Sequence, residues 1–73
     1  MSTTADPFIA SMEHELTAGK AAFYGSARKG DRAAAVRADR RMRAAMDLLD
    51  SLYGPAGWDC EHSGADARII IFR

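Results

Sequence analysis

The chain has 73 residues and a mass of 7.9 kDa, with ten Lys plus Arg against ten Asp plus Glu, so its formal net charge is zero. One domain is expected at this length, and a domain so small buries only about 60% of the surface its unfolded chain exposes, which leaves it marginal alone. The single cysteine, Cys60, excludes an internal disulfide, and the paired-cysteine ligand sets of structural zinc sites are absent. Oligomerisation is the remaining remedy for a small core. No apolar run reaches the ~18 residues of a membrane span. The opening Met1 to Asp6 lacks the basic and apolar regions of a secretory signal. A cytoplasmic protein with no membrane partner and no cofactor is expected.

Residues 1–5 read as a disordered lead-in to a single small domain over 6–73. Asp6-Pro7 is a strong helix start, an N-cap carboxylate followed by proline at the first helical position. Phe8, Met12, Leu16, Gly19, Phe23 and Ala27 then recur at spacings of four and three, which predicts a helix over about 7–27. Gly19 lies on this stripe and suits a close approach by another backbone, and Gly25 marks a fraying end.

Lys29-Gly30-Asp31 combines a helix stop with a new N-cap. A second helix is expected over about 32–53. Its seam is Ala35, Ala38, Met42, Ala45, Leu49 and Leu52, widened by Met46 and Tyr53. The short linker folds the two helices into an antiparallel hairpin, with the alanines of the second packing on Phe23 and Tyr24.

Gly54-Pro55-Ala56-Gly57 is a turn, and strands are expected at about 58–62 and 67–72 around the turn cluster Ser63 to Asp66. The fold class is therefore α+β, in the order α-α-β-β. Ile69-Ile70-Ile71-Phe72 is apolar on both strand faces, whereas a hairpin lying on helices needs only one apolar face. This strand therefore points to a partner: a homodimer that completes the sheet is favoured, ahead of another protein or helices on both faces. The expected interface is Ile69, Ile70, Ile71 and Phe72, with Leu48 as an outlying helix-face contact.

The neutral total hides segregation. Residues 1–27 carry −2, residues 28–43 carry +5 and residues 44–73 carry −3. Arg28, Lys29, Arg32, Arg37, Arg40 and Arg41 are candidate contacts to phosphate or to an acidic protein. The helix-turn-helix-hairpin order is winged-helix-like, so nucleic-acid binding through the basic half of the second helix is the alternative reading. Against it stand the zero net charge, the Asp39, Arg43, Asp47 ladder at i, i+4, i+8, and the lack of room for a further helix. Cys60 and His62 with His14, Glu13 and Glu15 do not make a convincing metal set, because His14 and the hairpin need not meet and helical glutamates are usually solvated, and a Cys60 nucleophile lacks a visible orienting third group. If Trp58, Cys60 and Ile69 share a face, Cys60 is a buried, inert thiol. Asp59, Glu61 and Asp66 are expected to pair with Arg68 across the hairpin or simply to keep the domain soluble. The expectation is a non-enzymatic interaction or regulatory protein.

Overall fold

A computed structural model describes residues 6–64 and 66–72, and the expected lead-in over 1–5 lies outside the described residues. Two helices, α1 (Pro7–Lys29) and α2 (Arg32–Tyr53), precede two strands, β1 (Trp58–Ser63) and β2 (Asp66–Ile71). The strands form an antiparallel hairpin in which Cys60 faces Ile69 and Glu61 faces Arg68. The α-α-β-β order of an α+β fold is thus present.

The helix ends are set locally. The Asp6 side chain accepts from the N–H groups of Phe8 and Ile9, and Pro7 opens the helix. At the other end α1 runs to Lys29, past Gly25, so Gly25 is an interior residue. Gly30 adopts φ 74°, its N–H reaches Ala27 O, and the Asp31 N–H reaches Ser26 O. That double bond pattern satisfies the last carbonyls of α1. Asp31 then caps α2 through Ala34 N–H at 3.1 Å. After α2, Gly57 is required by space, since a Cβ there would stand 1.8 Å from Tyr53 O.

The core is Met12, Leu16, Ala45, Leu49, Ala67 and Ile69, with Leu49 wholly buried. Gly19 also makes a close approach, but to a side chain: a Cβ there would meet Met42 Cγ at 2.5 Å, so the methionine fills the space. The seam of α2 departs from the expectation at its end. Leu52 is 60% exposed, and half-buried Tyr53 takes its place below Leu49. A straight helix drifts about 20° per heptad from a strict seven-residue repeat, so a stripe that begins at Ala38 continues through Leu49 to Tyr53. Tyr24 is also exposed. It packs edge-on against Phe23 instead of entering the seam.

The hairpin lies over the N-terminal half of α1 and the C-terminal half of α2. The inward side chains are Trp58 and Cys60 on β1 with Ala67, Ile69 and Ile71 on β2, and Trp58 Nε1 donates to Asp50 at 2.7 Å. The other half of the helical pair, around Gly30, projects beyond the sheet and gives a molecule of 40 × 24 × 18 Å.

Candidate functional site

The C-terminal strand divides its four apolar residues between two environments. Ile69 is buried in the core and Ile71 is half-buried on the same face. Ile70 and Phe72, 42% and 55% exposed, stand on the outer face. The reason is the strand's two-residue period: once Ala67 and Ile69 pack on α1, Ile70 and Phe72 must point away.

The β2 edge is covered by α1. The Ile69 N–H donates to Glu13 Oε2 at 2.8 Å and the Ala67 N–H to Thr17 Oγ1 at 2.9 Å. Four helical residues rise about 6 Å and two strand residues about 6.6 Å, so Glu13 and Thr17 match alternate N–H groups of an adjacent strand. Lys20 extends this row, donating to Gly64 O at 3.1 Å. Pairing of a new strand on β2 therefore meets occupied donors, and the strand's availability lies in its outer face. On β1, the Cys60 N–H is taken by its neighbour Asp59 at 2.8 Å, and the flanking Asp59 and Glu61 carboxylates further blunt that edge. Thr17 and Lys20 were not singled out by sequence reasoning, and Glu13 was weighed only as a metal ligand. Their four-three spacing was visible, but nothing in it named a strand as the partner.

Leu48 is 50% exposed on α2, one turn from the exposed Leu52. With Val36 at 44% exposure, these residues give α2 an uncovered, partly apolar outer side. Sequence reasoning found Leu48 but assigned Leu52 to the seam.

The basic block separates into paired and unpaired cations. Arg41 is held by Glu15 of α1 through two hydrogen bonds, 2.6 Å and 3.0 Å. That bond holds the Glu15 carboxyl below its ordinary range and pushes the Arg41 guanidinium up. Arg41 thereby bridges the two helices. Arg43 pairs with Asp39 at 2.8 Å, the first rung of the expected ladder. Arg28, Lys29, Arg32, Arg37 and Arg40 are exposed and make no ion pair among the described residues. Arg28, Lys29 and Arg32 flank Gly30 at the projecting end of the helical pair, and Arg37 and Arg40 follow along α2. At that end Tyr24, Ala27 and Arg28 line an open hollow of about 580 Å³.

Cys60 Sγ lies 3.9 Å from His62 Nε2, and His62 Nδ1 lies 3.4 Å from Lys20 Nζ. Burial, more than the nearby Asp59 charge, pushes the Cys60 thiol above its ordinary range. A thiol shifted in that direction is a poor nucleophile at neutral pH. His14 is exposed on α1, and among the described residues no group of three His, Cys, Asp or Glu is placed to hold a metal ion. No helix among the described residues is long and apolar enough to cross a membrane.

No protein-family model, curated protein or solved structure matches the chain.

Proposed function

We propose that the protein is a small non-enzymatic interaction or regulatory protein that works as a homodimer and binds a further protein. The observation that carries this reading is the exposure of Ile70 and Phe72 on the outer face of the sheet, where no element among the described residues covers them. The surrounding outer-face and turn charges are Asp59, Glu61, Asp66 and Arg68, a net of −2. A partner of matching chemistry has an apolar centre with a basic rim. Immobilised protein is expected to retain such a partner from lysate of the source cell, and Ile70→Lys is expected to lose it. Retention that is indifferent to Ile70→Lys and Phe72→Lys would remove this surface from the reading.

One observation favours nucleic acid as a second reading. Arg28 lines a hollow with an exposed aromatic ring, Tyr24, and single-stranded nucleic acid is held by basic grooves with stacking platforms. Fluorescence anisotropy with a labelled single strand tests it. The reading requires binding that falls steeply with salt and weakens in Arg28→Ala and Tyr24→Ala. The pairing of Arg41 and Arg43 leaves fewer open cations than the sequence suggests, which places this reading second.

A further inference from the structure

Among the described residues no element covers the outer side of α2, and its charges are ordered. Val36, Arg40, Ala44, Asp47 and Leu48 are all exposed there. The side is basic before Ala44 (Arg37, Arg40) and acidic after it (Asp47). At about 100° per residue, Arg40 and Asp47 differ by only about 20° and so share one flank of the helix. At about 1.5 Å per residue, Arg40 lies about 6 Å before Ala44 and Asp47 about 4.5 Å after it.

These spacings make the face complementary to itself when two copies run antiparallel. We propose that a second copy of this chain docks on α2 across a two-fold axis at Ala44, with reciprocal Arg40–Asp47 ion pairs. This deepens the homodimer reading above and rests on it. In that arrangement Arg40 of one copy and Asp47 of the other are offset by about 1.5 Å along the axis, well within side-chain reach, and the pair occurs twice. Ala44 meets the second copy's Ala44, and its small side chain lets the helices approach closely. Leu48, on the opposite flank, lies over the aliphatic stem of the second copy's Arg37, and a long charged side chain covers apolar surface in this way. A parallel arrangement would set Arg40 against Arg40 and Asp47 against Asp47, so the charge order selects the antiparallel one. Exposed ion pairs add little affinity themselves, so apolar contact supplies the drive and the charges set orientation and register.

The sheet edges offer a second copy less. Glu13 and Thr17 occupy the outward β2 donors at Ile69 and Ala67. Two antiparallel β1 strands centred on Cys60 would set Asp59 opposite Glu61, and like charges directly opposite destabilise a ladder.

Charge exchange tests the proposal by light scattering on size-exclusion fractions at high micromolar concentration. The wild-type chain is expected at twice the 7.9 kDa of one copy. Arg40→Asp alone and Asp47→Arg alone each replace two attractions by two repulsions, and each is expected to weaken the dimer by about tenfold or more. The double exchange restores opposite charges and is expected to restore the dimer. Ile70→Lys is expected to leave it intact. Both exchanged residues are fully on the surface, so circular dichroism of each variant is expected to match the wild type. A wild-type monomer, a dimer indifferent to both single reversals, or one dissolved by Ile70→Lys would overturn the proposal. Loss of partner retention in Ile70→Lys reads the sheet surface separately, so the two readings fail independently.

Discussion

Glu13 Oε2 accepts the Ile69 backbone N–H at 2.8 Å, so a helix carboxylate closes a sheet edge 56 residues further along the chain. This bond and its neighbour from Thr17 hold β2 against α1 and keep the Ile69 and Ala67 donors from pairing elsewhere. Glu13→Ala leaves a part-buried N–H without a partner, which costs about 1–3 kcal/mol. Urea denaturation is expected to show that loss. Glu13→Gln keeps an acceptor oxygen and is expected to retain most of the stability. Equal losses in the two variants would show that the carboxylate acts in some other way.

Two glycines give opposite expectations. Gly25 is a helix-interior residue with no atom within 4 Å of an added Cβ. Gly25→Ala is therefore expected to stabilise the protein by about 0.5–1 kcal/mol through helix propensity. A Cβ on Gly57 would collide with Tyr53 O at 1.8 Å and with Tyr53 C at 2.8 Å. Backbone atoms cannot swing aside as a side chain does, so Gly57→Ala is expected to lower the melting temperature sharply. Thermal melts of the two variants in parallel check both signs.

The Glu15–Arg41 clamp gives stability a dependence on acid. Its hydrogen bond lowers the Glu15 pKa in the folded state. A lowered carboxylate pKa contributes stability above the ordinary carboxylate range, and that contribution is lost as pH falls through the folded value. Denaturant midpoints measured from neutral pH downwards are expected to fall. Glu15→Gln is expected to be less stable at neutral pH and to show a shallower decline in acid. Identical slopes for the two proteins would refute the clamp's role.

Cys60 is expected to react slowly. Burial raises its pKa, so the thiolate fraction at neutral pH is below that of an ordinary thiol. Alkylation by iodoacetamide at neutral pH is expected to run slower in the folded protein than in urea. The ionised form is disfavoured in the fold, so stability associated with this group is lost as pH rises through the thiol range. A folded-state rate equal to or above the unfolded one would contradict this placement.

The helices and their ends were legible because their causes are local. Asp6, Pro7, Gly30 and Asp31 act on backbone groups within five residues, and the order of elements follows from spacing and turn residues alone. The Asp39–Arg43 rung was legible for the same reason, as an i, i+4 pair. The candidate site was only half legible. An apolar strand with two greasy faces announced a surface, but which face became core depended on how β2 met α1. Leu52 shows the same limit, since a heptad template fits the letters while a straight helix turns that position to solvent.

The sequence by itself determined the α-α-β-β order, the capped helical hairpin and the division of charge into basic middle and acidic flanks, because each depends on near neighbours or on composition. Only the tertiary structure decided that Ile69 is core while Ile70 and Phe72 are surface, and that Arg41 is bound to Glu15. It alone showed the β2 edge closed by Glu13 and Thr17. These are contacts between residues far apart in the chain, where distance and direction decide the outcome and residue type only permits it. The homodimer suggested by the terminal strand is thereby shifted, in our proposal, from the strand to the outer side of α2.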